Sequence, residues 1–155
     1  MKCTHSLLIG TLAVAVSAAG AAGAQGIAPT ADTARIAKVQ LHNTSSGKIL
    51  VNASGLTLYM FSHDTRNKDT CVKVSGCSAV WPAMTTSGKP RAGAGVKASK
   101  LSTITLPGGA KQVTYYGHPL YLFGGDLTVA DPSYLGTPEF GGTWDGLTAS
   151  GHEVK

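Results

Sequence analysis

Apolar and polar positions alternate along much of this chain with a period of two. Ile36-Ala37-Lys38-Val39-Gln40-Leu41-His42 switches faces residue by residue, as a half-buried strand does. Asn43-Thr44-Ser45-Ser46-Gly47 is a cluster of turn formers, and Lys48–Asn52 resumes with β-branched residues. Ala53-Ser54-Gly55 turns the chain again before a third strand over Thr57–Phe61. Strand, turn, strand, turn, strand is a meander. Ser102–Leu106, Pro107-Gly108-Gly109, Gln112–Tyr116, Gly117-His118-Pro119 and Leu120–Phe123 replay the same order. After each meander the pattern weakens. Ser62–Met84 predicts a long ordered loop with a helical turn near Ser78-Ala79-Val80, and Asp126–Thr143 is rich in Gly and Pro. Trp144 opens a last short strand. Beyond the amino-terminal region no apolar stripe of helical period lasts for the roughly three turns of an average helix. The fold class is therefore mainly β.

The third strand of each meander ends in nearly the same words. Leu58-Tyr59-Met60-Phe61-Ser62-His63-Asp64 returns as Leu120-Tyr121-Leu122-Phe123-Gly124-Gly125-Asp126, an offset of 121 − 59 = 62 positions. That offset also carries Gly47 onto Gly109, Gly55 onto Gly117 and Asp69 onto Asp131, and an offset one larger carries Trp81 onto Trp144. Self-similarity over roughly sixty residues predicts two tandem copies of one β-meander unit, packed as one domain with long loops. The expected divisions are a first repeat over residues 38–84, an exposed linker over 85–100, a second repeat over 101–150 and a frayed tail over 151–155.

The chain resembles the bacterial secreted-repeat family of predicted lipoproteins that carry a Tyr-x-(Phe/Trp/Tyr)-x-x-Asp motif. Tyr59–Asp64 and Tyr121–Asp126 both fit it. The Cys71…Cys77…Trp81-Pro82 run and the Gly117-His118-Pro119-Leu120-Tyr121 run are similar too, so the resemblance extends over about Lys38–Ser150. It implies an exported, bacterial location and this architecture. The family's function is largely uncharacterised, so no reaction is implied. One departure concerns the leader: the lipoproteins bear a lipid-carrying Cys at its end, and this chain has no Cys there.

The amino terminus itself reads as a signal peptide over residues 1–24. Met1-Lys2 gives a positive start, Leu7–Ala24 is small and apolar, and Ala22-Gly23-Ala24 is a cleavage signature. A retained membrane anchor is the alternative. Cleavage leaves Gln25–Lys155, 131 residues, with residues 25–37 as a flexible lead-in, and it removes Cys3. No other stretch has the roughly 20 apolar residues that a membrane span needs. The formal charge falls from +5 to +4 without Lys2, and the basic residues are dispersed, which reads as a solubility feature, so no nucleic-acid partner is expected. Cys71 and Cys77 remain, and in an exported protein they predict a disulfide. A redox or metal-binding thiol pair is the alternative, but five intervening residues do not match the two-residue spacing of such sites.

Candidate chemistry gathers at the repeated motif: Tyr59, Phe61, Asp64, Tyr121, Phe123 and Asp126. Both faces of these strands are apolar, which predicts that the rings are core. The phenols then need polar partners, and the aspartates fix the loops that follow. The alternative is that Asp64, Asp126 and the two phenols line one cleft, as acid and base or as cation ligands. No Ser-His-Asp order, phosphate-cradling loop or His-Glu-x-x-His run is present, so no catalytic residue and no cofactor are expected. His63 and His118 are weak metal candidates, since exported proteins use His and Met for copper. The sequence therefore points to a non-enzymatic exported module of the cell envelope or periplasm. It would bind envelope components or a small ligand, or serve as structure. The alternative is a metal-binding or redox-accessory periplasmic protein.

Overall fold

The computed structural model describes residues 35–155, so the expected signal peptide and most of the lead-in lie outside the described residues. Eleven short strands are seen among them. In the first half of the chain these are β1 (Lys38–Thr44), β2 (Gly47–Val51), β3 (Tyr59–Phe61), β4 (Thr85–Thr86) and β5 (Arg91–Ala92). The second half adds β6 (Leu101–Thr105), β7 (Lys111–Tyr115), β8 (His118–Pro119), β9 (Thr137–Glu139), β10 (Gly142–Leu147) and β11 (Glu153–Val154). A 3₁₀ turn at Cys71–Lys73, a single helical turn α1 (Cys77–Val80) and a second 3₁₀ turn at Ala98–Lys100 are the helical pieces. The molecule is mainly β, as the alternation predicts.

Three small sheets result. β1 lies between β2, antiparallel with Gln40 opposite Val51, and β5, parallel with Lys38 opposite Arg91. β7 lies between β6, antiparallel with Leu101 opposite Tyr115, and β4, and it also pairs with β8. β10 pairs antiparallel with β3, β9 and β11, and sets Trp144 opposite Phe61. Single bridges between Tyr59 and Tyr121 and between Tyr121 and Ala83 join the sheets through the motif.

Alternation along the motif strands feeds two cores. Leu58, Met60 and Leu120 enter one with Val39, Leu50, Val113, Tyr115 and Leu147. Tyr59, Phe61 and Tyr121 face the other way, into a cluster with Cys71, Cys77, Trp81 and Trp144. Successive side chains of a strand point to opposite faces, so an uninterrupted apolar run can serve a core on each side.

Four expectations are corrected. Residues 85–100 are not a bare linker: β4 and β5 lie there, Thr86, Pro90 and Val96 are buried, and the Thr86 hydroxyl accepts the Ala37 N–H at 3.0 Å. The tail at 151–155 is paired through β11. The turn expected at Gly117-His118-Pro119 falls one residue earlier. Tyr116 and Gly117 adopt φ of 51° and 88°, the two positive angles of a tight hairpin turn, and His118-Pro119 belong to β8. Leu120–Phe123 is not a regular strand: only Tyr121 is bridged, to Tyr59 of β3 on one side and to Ala83 on the other. α1 forms where the helical turn is expected and stops at Trp81, whose φ of −118° is set by the following Pro82.

Candidate functional site

The two motif segments meet at their tyrosines. The Tyr59 N–H donates to the Tyr121 carbonyl at 3.0 Å, and the Tyr121 N–H donates back to the Tyr59 carbonyl at 2.9 Å. Their side chains then cross. The Tyr59 hydroxyl donates to Asp126 Oδ1 at 3.2 Å, and the Tyr121 hydroxyl donates to Asp64 Oδ2 at 2.7 Å. Each tyrosine therefore binds the aspartate of the other segment.

The tryptophans meet as well. The rings of Trp81 and Trp144 stack at 4.1 Å with 2° between their planes. Phe61 stacks on Trp144 at 4.3 Å and Phe123 lies on Trp81 at 4.5 Å. Tyr59 sits edge-on to Trp81 and Tyr121 edge-on to Trp144, both at 5.1 Å. The edge-on contacts are among the geometries that ring quadrupoles favour. The space where a cleft could open between the segments is filled by these rings, and Tyr59, Phe61, Trp81, Tyr121 and Trp144 are fully buried.

The aspartates differ in their partners. Asp64 Oδ1 accepts the Thr70 N–H and the Thr70 hydroxyl, each at 2.7 Å, so the loop closes onto it. The corresponding position after Asp126 is Pro132, since 70 + 62 = 132. Proline has no N–H and no hydroxyl to offer. Asp126 Oδ2 is buried without a partner. The next acidic pair serves the loops alike: Asp69 accepts the Val72 N–H and Asp131 accepts the Ser133 N–H, both at 2.9 Å.

Residues 41–85 match the family described as a secreted repeat of unknown function. The matched segment contains the first motif, Tyr59–Asp64, and both cysteines. The description supports export of this chain. No curated protein matched. No solved structure matched either.

Near the first motif in the sequence, Cys71 and Cys77 are joined in a disulfide with their Cα atoms 5.4 Å apart. Burial shapes the titration of the motif. It pushes Asp126 up to about 6 and raises Asp64, where the bonds from Thr70 and Tyr121 pull the other way. Burial, then the facing carboxylate, holds both phenols far above the usual tyrosine range. His63 is exposed, lies 3.1 Å by Nδ1 from the Gly141 carbonyl and stacks on Phe61. His118 is half-buried, and burial lowers its pKa. Among the described residues no three His, Cys, Asp or Glu side chains gather as a metal-holding group. No described helix is long and apolar enough to cross a membrane.

Sequence reasoning missed three participants. Glu139 accepts the Trp81 indole N–H at 2.7 Å, Thr70 closes on Asp64, and Tyr134 lies on Phe123 at 4.0 Å. The Thr70-to-Pro132 difference could have been read from the 62-residue offset. The contacts of Glu139 and Tyr134 leave no periodic trace.

Proposed function

We propose that this protein is a non-enzymatic exported module of the cell envelope or periplasm. Its repeated Tyr-x-Phe-x-x-Asp side chains would hold two copies of one β unit together rather than carry out a reaction. The crossed bonds Tyr59 to Asp126 and Tyr121 to Asp64 carry this reading. They engage both phenols and one oxygen of each carboxylate, and the rings beside them fill the space between the segments. The reading leaves binding to the outer surface, where envelope components or a small ligand are the partners the export signal makes available.

The test is thermal denaturation of Tyr121→Phe and Asp64→Asn, each with and without added Cu²⁺, Zn²⁺ or Ca²⁺. The proposal expects both variants to melt lower than the parent and no metal to change that difference. A metal-induced rise in the parent that is lost in Asp64→Asn, with unchanged melting in its absence, would favour a metal-binding role for His63, His118, Asp64 and Asp126 instead.

A further inference from the structure

The aromatic contacts around the motif form one continuous column. His63 lies on Phe61 at 5.8 Å, followed by Phe61 on Trp144 at 4.3 Å and Trp144 on Trp81 at 4.1 Å. Trp81 meets Phe123 at 4.5 Å and Phe123 meets Tyr134 at 4.0 Å. The first ring is exposed and the last is half-buried, so the column joins two parts of the surface through the buried tryptophan pair. Tyr59 and Tyr121 branch from that pair edge-on, and each phenol donates to a carboxylate. A ring that can lose an electron beside a ring that can lose both an electron and a proton to a waiting base is the arrangement that moves and traps an oxidising equivalent. The remaining tyrosines, Tyr115 and Tyr116, pair with each other and pack in the other core.

We propose that this column relays one-electron oxidations from the surface to Tyr59 and Tyr121, so that the protein takes up oxidising radicals in the envelope. A peroxide-derived radical gains one electron from the column, and the vacancy settles on Trp81 or Trp144. Tyr59 or Tyr121 then gives an electron to the indole while its phenolic proton moves to Asp126 or Asp64. The products are a reduced oxidant, a neutral tyrosyl radical and a protonated aspartate. An external thiolate restores the start. It gives one electron through the column and becomes a thiyl radical, and the aspartate returns its proton to the phenol. Phe61 and Phe123 act as spacers, because benzene rings are much harder to oxidise than indoles or phenols. This inference is independent of whether the motif also holds two copies together.

The experiment is photo-oxidation of the mature protein with a ruthenium tris-bipyridyl sensitiser and a sacrificial electron acceptor. Transient absorption and electron paramagnetic resonance identify the radicals, and peptide mapping places the oxidation. The expected result is a tryptophan radical that decays as a tyrosyl radical grows, with products at Tyr59 and Tyr121. In Tyr59→Phe/Tyr121→Phe the tryptophan radical should persist several-fold longer, and in Trp81→Phe the tyrosyl yield should fall several-fold. Oxidation of the unmodified protein confined to Tyr115 and Tyr116 would overturn the proposal whether or not the variants fold. So would a tyrosyl yield unchanged in a folded Trp81→Phe.

Discussion

Thr70 and Pro132 occupy corresponding places, and that one difference divides the fates of two aspartates. Asp64 holds three donors, two from Thr70 and one from Tyr121, whereas Asp126 has the Tyr59 hydroxyl on one oxygen and nothing on the other. Asp64→Asn should therefore cost about 1–3 kcal/mol and Asp126→Asn distinctly less, measured as shifts in urea midpoints at neutral pH. The pH dependence follows from the raised pKa of Asp126. The folded state holds its proton up to about pH 6, and the unfolded state releases it near the ordinary value of 3.8. Between those values the folded state binds more protons, so this group's stabilisation is full in acid and is lost as pH rises through about 6. Asp64 shifts in the same direction. Asp126→Asn removes its own share, so melting curves from pH 4 to 8 should show the parent's advantage over that variant shrinking as pH rises. The motif residues themselves were legible in the sequence. Which tyrosine meets which aspartate was not, because the partners are 57 and 67 positions apart and nothing local distinguishes a crossed bond from a direct one.

At the scale of elements, the fit between β10 and β3 depends on a missing side chain. A Cβ at Gly142 would stand 2.6 Å from Phe61 Cε2 and 3.0 Å from the His63 nitrogen. Gly142→Ala should therefore overpack the strand pair and cost about 1–3 kcal/mol, seen as a lower denaturation midpoint with an unchanged slope. The disulfide closes a short loop just before α1. Replacing both Cys71 and Cys77 by Ser should cost roughly 2–2.5 kcal/mol on the chain-entropy model, by the same measurement. The long strands β1, β2, β6 and β7 were visible as alternation to within a residue or two. β4, β5 and β11 were not, because a two-residue strand has no period. The parallel pairing of β5 with β1 is a matter of backbone bonds, such as the Arg91 N–H to the Ala37 carbonyl at 2.8 Å.

For the molecule as a whole, both cores draw on both motif segments. Leu58 and Leu120 share one, and Tyr59 and Tyr121 share the other. Neither half can bury its own motif strand, and neither can satisfy its own phenol. Residues 38–97 and 98–155 produced separately should each lack cooperative melting, and mixing them should restore it, as followed by near-ultraviolet circular dichroism of the tryptophan stack. Independent folding of either piece would contradict this mutual dependence. The 62-residue offset pairs residues along the sequence. It could not show which of them meet, since a sequence comparison aligns residues and is silent on whether aligned residues touch.

Tyr59 and Tyr121 exchange both backbone bonds with one another. In an array of beads on a string, counterparts would be kept apart. Counterparts that touch lie on an axis of rotation, the signature of an isologous contact between equal subunits. A chain bearing a single copy of this unit would then carry a sticky face made for its own image, and should sediment as a closed dimer. On this reading the present protein is such a dimer with its stoichiometry written into one chain. The two sides need not be identical: the disulfide stands on one only, and the offset sets Thr70 on that side against Pro132 on the other.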